Sequence, residues 1–263
     1  MSGVIIDNEV CHYEVMGHGR PVLYLHDWLG TWRYWMPSMQ IVSSLNFKSI
    51  AMDLWGFGDS ARNKRAYSIQ EQTKLIAKFL YQIKVEKVAI VGHGLGAIVA
   101  LNFAKQYFHS VDRLFLVSTP MSDNCLNERL FSETPQELAE WLLNKDEDAG
   151  FVMEEIHKID LQALRVSLNE VRDTTINSIW KNGQHRTLFV HGVQDQAIIS
   201  PSERRLLVLA DHMHGILIDG GGHYPMVEDS SKFSRLLVDF LMLDKEKSPR
   251  EITLKDKWIR RVR

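Results

Sequence analysis

Four short stretches of this 263-residue chain hold residue types that handle protons and stabilise anions. They are His26-Asp27-Trp28-Leu29-Gly30, Gly92-His93-Gly94-Leu95-Gly96, His191-Gly192-Val193-Gln194-Asp195 and Gly220-Gly221-Gly222-His223. Together they supply an imidazole, carboxylates to orient it, and glycine-rich main chain whose N–H groups can face a developing negative charge. His223 is the candidate base and Asp195 the acid that orients it, with Asp173 and Asp219 as weaker substitutes. The set thus holds an acid, a base and glycine-rich backbone, the parts of a proton-handling site.

Such loops need a scaffold that brings them to one place, and the hydrophobic pattern supplies it. Short β-rich runs at Gly3–Asp7, Glu9–Met16, Pro21–His26, Phe47–Asp53, Lys87–Val91 and Val111–Val117 alternate with helical patterns at Thr31–Leu45, Ser68–Ile83 and Leu95–Phe108. Ser68, with Glu71 three residues on, reads as a capping box. The turn Gly17-His18-Gly19-Arg20-Pro21 reads as a hairpin between the second and third strands. From about Met121 to Asn182 the patterns are helical (Pro135–Leu143, Gly150–Lys158, Asp160–Trp180). Alternation then resumes with Thr187–His191, Pro201–Ala210, Gly215–Ile218 and Ser230–Leu243. Strands joined by crossover helices predict an α/β fold with a mostly parallel, doubly wound sheet of about eight strands. The helical interruption predicts an inserted cap. The expected division is a core of residues 1–120 and 183–243, a cap of 121–182 and a tail of 244–263. In such a sheet, sites form beyond the carboxyl ends of strands, where the four stretches fall.

The chain here resembles the α/β-hydrolase superfamily over roughly residues 3–243 apart from the cap. Five features carry the resemblance: the His26–Gly30 loop, the loop Asp53-Leu54-Trp55-Gly56-Phe57-Gly58-Asp59-Ser60, the elbow Gly92–Gly96, Asp195, and His223 in Gly-Gly-His-Tyr-Pro. The resemblance implies a nucleophile elbow of the form G-x-S-x-G, but residue 94 is glycine. It has no atom with which to attack, so acyl-enzyme chemistry at the elbow is excluded. The resemblance also implies an oxyanion hole from the backbone N–H groups of Leu95 and Trp28, to which the helix beginning at Leu95 adds partial positive charge. Asp27 is a second departure, since the family usually has glycine there; its carboxylate would either weaken the hole or turn away.

Three readings of Gly94 follow: a serine hydrolase whose nucleophile has been substituted, a hydrolase in which His223 activates a water in the space left beside Gly94, or a catalytically silent binding or protein-interaction module. The intact Asp195–His223 pair leans toward turnover of a small ester or related carbonyl compound. Asp27, Trp55, Ser118 and Trp141 are the candidate substrate-binding residues, and the tryptophans suit an apolar or aromatic ligand. His93 and His26 read as structural, Thr119 as a remote alternative hydroxyl, and Cys125 as an apolar filler. Gly92-x-Gly94-x-x-Ala97 also matches a dinucleotide fingerprint. However, it sits on the fifth strand, and Asp112 precedes the next strand instead of ending it.

Composition narrows the remaining classes. The net charge of −2 gives no global electrostatic case for nucleic acid. Cys11 and Cys125 cannot build a disulfide scaffold or a cysteine–zinc site, and no metal or cofactor is expected. The start of the chain has no signal-peptide pattern and no stretch has the length of a membrane span, so a cytoplasmic protein with a small-molecule substrate or ligand is expected. The tail carries +4 against −6 for the remainder. Leu254, Trp258 and Val262 would form an apolar stripe, able to dock on the body or meet an acidic partner or membrane surface.

Overall fold

The computed structural model describes residues 2–122, 124–143, 150–173 and 183–252. Eight strands form one sheet: β1 (Ser2–Ile6), β2 (Glu9–Gly17), β3 (Arg20–Leu25), β4 (Phe47–Met52), β5 (Val88–His93), β6 (Val111–Val117), β7 (Arg186–Gly192) and β8 (Met213–Ile218). Their order is β1-β2-β4-β3-β5-β6-β7-β8. The β1–β2 and β2–β4 pairs are antiparallel and the rest parallel. Val22–Leu25 of β3 and Val88–Val91 of β5 are continuous apolar runs because helices cover both faces of the central strands. This is the doubly wound α/β sheet that the alternating pattern predicts.

The expected hairpin between β2 and β3 does not form. β2 pairs with β4, and β3 lies on the far side of β4. The glycines serve a close crossing instead. Gly19 sits at φ +102, and a Cβ there would lie 2.2 Å from the Asn46 carbonyl oxygen. The Arg20 N–H donates to that same oxygen at 3.2 Å. The hairpin joins β1 to β2 through Asp7 and Asn8, at φ 52 and 66.

Helices follow the strands: α1 (Met36–Ser43), preceded by a 3-10 turn at Trp32–Trp35, α2 (Ile69–Gln82) and α3 (Leu95–Gln106). Ser68 caps α2, its side chain accepting from the Glu71 N–H. The interval between β6 and β7 holds α4 (Arg129–Ser132), α5 (Pro135–Leu143), α6 (Gly150–Met153) and α7 (Leu161–Asp173). The expected helix at Gly150–Lys158 is broken, α6 giving way to a 3-10 turn at Ile156–Lys158. Beyond β7 come α8 (Glu203–Leu207), shorter than the pattern suggests, α9 (Pro225–Glu228) and α10 (Ser230–Met242). The expected tail helix with Leu254, Trp258 and Val262 lies outside the described residues. No described helix is long and apolar enough to cross a membrane.

Candidate active site

The site begins with strand register. β3 and β5 are parallel neighbours with Leu25 opposite Gly92, so the continuing register brings Asp27 abreast of Gly94. After β3 the chain departs toward β4, and after β5 toward β6 on the opposite side. Loops diverging from adjacent strands leave a crevice at their carboxyl ends. The elbow is held from both flanks: the Gly94 N–H donates to the Val117 carbonyl, and the Gly96 N–H to the His26 carbonyl, each at 3.0 Å. Gly94 adopts φ 48, ψ −105 as the residue capping α3, a conformation glycine takes without a Cβ clash.

Asp27 occupies the place of the missing elbow side chain. A Cβ built on Gly94 would lie 1.7 Å from Asp27 Oδ1, closer than any non-bonded contact. That oxygen accepts the Leu95 N–H at 3.0 Å, so the expected oxyanion-hole donor is engaged by the protein's own carboxylate. The other oxygen, Oδ2, stands 3.0 Å from His223 Nε2. His223 Nδ1 lies 3.0 and 2.9 Å from the two oxygens of Asp195. The result is a continuous array from Asp195 through His223 and Asp27 to the N-terminus of α3. The water expected beside Gly94 therefore has no space there. Asp27 neither turns away nor stands beside the hole; it fills it.

Charge follows from this geometry. Burial alone would lower the His223 pKa, but the charge and hydrogen bonds of Asp195 and then Asp27 raise it well above the ordinary histidine value. The imidazole is a cation at neutral pH. Burial would raise Asp27, and the hydrogen bond and charge of His223 outweigh it, leaving the carboxylate below its usual range. Asp195 is lowered likewise against burial, by His223 and by smaller contributions from the Ile198 N–H and the Ser118 hydroxyl. Two anions hold one cation here, so His223 in this state is not a free base.

A further set of side chains fixes the array. The Asp27 N–H donates to Tyr34 Oη at 2.9 Å. Tyr34 Oη also lies 3.1 Å from His93 Nδ1. Burial lowers the His93 pKa to about 3, and its neutral ring lies 4.7 Å from that of His223. Tyr224 Oη donates to the Leu29 carbonyl at 2.8 Å. His26 clamps the first loop: its Nδ1 lies 2.8 Å from the Asp27 carbonyl oxygen, and its Nε2 accepts the Leu54 N–H at 3.0 Å. Ser118, at φ 44, places its hydroxyl 3.4 Å from the His223 carbonyl. The Trp28 indole N–H donates to Ser167 Oγ on α7 at 3.0 Å, tying the loop of Asp27 to the inserted helices. Tyr34 and Ser167 carry no motif and are not found from sequence. Tyr224 follows His223 directly, and its position in that motif was the available signal.

The remaining candidates are distributed differently. Trp55 is buried, and its backbone N–H and C=O are both hydrogen-bonded by Gln72. Trp141 instead lines a surface depression of about 410 Å³ with Arg129, Glu137, Glu140 and Gln196. Among the described residues, two groups have donor atoms close enough for a metal, Asp27–His93–His223 and His12–Asp53–Asp59, each within 4.8 Å. In both, the carboxylate is already hydrogen-bonded to a histidine, so an ion would have to break that pair.

A family profile for the alpha/beta hydrolase fold matches residues 20–148, a span that includes β3 to β6 and the elbow. This chain is an α/β-hydrolase-fold protein. It is 30% identical over 106 residues to a soluble epoxide hydrolase from a Corynebacterium species, covering 40% of this chain and 37% of that one. It is 25% identical over 254 residues to the 2-hydroxy-6-oxo-2,4-heptadienoate hydrolase of Pseudomonas putida, covering 86% and 90%. Among solved structures, a mutant of the meta-cleavage product hydrolase of Pseudomonas fluorescens superposes with a TM-score of 0.77 at 24% identity, covering 92% and 97%. The chain spans 40% or less of the length of the first curated relatives it matches. For an α/β-hydrolase fold, the unusual feature is the exchange at its centre: the elbow side chain is gone and a carboxylate from the neighbouring loop stands in its volume.

Proposed function

We propose that this α/β-hydrolase-fold protein hydrolyses a small molecule, using the Asp195–His223–Asp27 array beside the N-terminus of α3. The observation that supports this reading is the convergence of Asp27 Oδ1 on the Leu95 N–H with Asp27 Oδ2 on His223 Nε2. A donor that holds a carboxylate oxygen at 3.0 Å is suited to hold the oxyanion of a reaction intermediate. His223 and Asp195 move and orient the proton, and Leu95, with Trp28, supplies main-chain stabilisation. Hydrolase names recur among the relatives, which fits this reading.

The test is turnover against a panel of small esters, enol-ketone acids and epoxides, followed by replacement of the proton carrier. His223→Ala is expected to abolish hydrolysis of whichever compound is converted. A rate equal to that of the parent protein would reject the assignment.

Closure of the centre favours a second reading. Asp27 is 1% exposed and His223 2%, and an internal ion pair at the hole would also serve a silent module that uses the fold for binding. In that case ligands found by thermal shift bind the His223→Ala protein as well as the parent, and no compound is turned over.

A further inference from the structure

We propose that Asp27 is the attacking group, the nucleophile having moved from the elbow to the neighbouring loop, and that its substrate is an epoxide. This rests on the hydrolytic reading above and adds the identity of the attacking atom and the substrate class.

The two oxygens of Asp27 are in different environments. Oδ1 is held by the Leu95 N–H, and Oδ2 faces His223. A carboxylate placed this way has one oxygen available to bond to carbon and the other seated where an oxyanion would be stabilised. Attack by a carboxylate on an ester carbonyl would give a reactive mixed anhydride. Attack on a saturated carbon gives an ordinary ester that water can cleave, so the nucleophile selects an electrophilic sp³ carbon. An epoxide also needs a proton for the oxygen it releases. The array holds one, on the imidazolium between Asp27 and Asp195.

The cycle balances. Asp27 Oδ2 bonds to an epoxide carbon, the ring C–O bond breaks, and the alkoxide takes the proton from His223. Esterification removes the charge of Asp27, so His223 loses one of its two anionic partners and is left neutral with Nε2 free. It then accepts a proton from water as the water oxygen bonds to Asp27 Cγ. The negative charge collects on Oδ1 against the Leu95 N–H. Collapse breaks the Cγ–Oδ2 bond, and the second alkoxide leaves as the diol after taking the proton from His223. The remaining acid proton of Asp27 returns to His223, restoring carboxylate and imidazolium. One epoxide and one water give one diol, and no co-reactant is needed. Because Asp27 is 1% exposed, admission of substrate requires movement of Trp28 or of the helices over it.

The experiment is a single turnover in heavy-oxygen water, with the full chain in excess over styrene oxide, followed by mass spectrometry of diol and protein. The expected result is a diol without heavy oxygen and one heavy oxygen in the peptide containing Asp27. Asp27→Asn should lower turnover by at least ~10³-fold. Heavy oxygen in the diol with none in Asp27 overturns the nucleophile while leaving the hydrolytic reading in place. Conversion of para-nitrophenyl butyrate but not of styrene oxide overturns the substrate class and again spares that reading. Turnover of neither probe, with the protein folded, removes both.

Discussion

Asp53 and Asp27 are buried carboxylates on neighbouring loops, each beside a histidine, and they are built for different ends. After β4, Asp53 accepts the Trp32 N–H at 2.8 Å and the Asp59 N–H at 3.0 Å, with His12 Nδ1 at 2.8 Å from Oδ2. A Cβ on Gly58 would fall 2.2 Å from the same carboxylate. Asp53 is thus surrounded by the loops it ties together. After β3, Asp27 has the Leu95 N–H on one oxygen and a histidine on the other, and that histidine has a second anion behind it. The first carboxylate is satisfied by fixed main chain and holds shape. The second is paired with a proton carrier whose charge depends on it, and this dependence suits it to chemistry.

The sharpest way to break the comparison is to neutralise each carboxylate in turn. Asp27→Asn is expected to remove activity by roughly 10³–10⁵-fold while the melting temperature moves little, since His223 keeps Asp195. Asp53→Ala should instead cost about 3–5 kcal/mol of stability, because a buried histidine and two backbone N–H groups lose their partner together. Urea titration beside an activity assay reads both. Equal stability losses in the two variants would erase the distinction.

Exchanging side chains at the centre comes next. Gly94→Ser alone places Cβ against Asp27 Oδ1 and puts a non-glycine residue at φ 48. The backbone contribution is about 1–3 kcal/mol, and the contact adds to it. The single variant should be destabilised and fail to label with a fluorophosphonate. Combining it with Asp27→Gly restores the volume and should yield labelling. Labelling of the single variant would show that Asp27 yields its place readily.

How far the sequence reveals this centre is clear from these same residues. The loops carrying Asp27, Gly94, Asp195 and His223 are recognisable because each is a short, glycine-marked motif after an apolar strand. Both departures are visible too, a glycine where a serine is expected and a carboxylate where a glycine is expected. Their complementarity is not, since it depends on two side-chain volumes meeting across β3 and β5. The misplaced hairpin has the same origin. Gly17 and Gly19 mark a tight passage, but which neighbour requires it is set by α1 and the turn at Asn46. Paired departures at two positions of one site are the signal that would have pointed to a transferred side chain.

A third histidine gives a smaller contrast. His191 is fully buried at the end of β7, and neither ring nitrogen has a hydrogen-bond partner among the described residues. Burial lowers its pKa to about 4. The unfolded chain takes up this proton below the ordinary value of 6.5 and the folded chain does not, so stability falls as pH drops between 6.5 and about 4. His223, raised by its partners, behaves oppositely: its contribution is present below 6.5 and is lost as pH rises through its elevated folded value. His191→Leu should flatten the acid limb by one proton, ~1.4 kcal/mol per pH unit. An unchanged slope in calorimetry across that range would refute the assignment.

The smallest effect expected is at the tie between the first loop and α7. Ser167→Ala removes one buried hydrogen bond from the Trp28 indole, worth ~1 kcal/mol. It should also speed ligand entry more than it alters chemistry, a difference visible as a changed association rate at constant single-turnover rate.

Trp28 belongs to two bodies at once. Its main chain is continuous with Asp27, and its ring is anchored on α7. A guest large enough to lift the inserted helices pulls on the strut that sets the carboxylate, so a wide opening and an aligned centre work against each other. Narrow guests that slip past the indole leave the alignment undisturbed. On the proposed function, size discrimination would thereby be a mechanical property of one side chain, exercised before any bond is made.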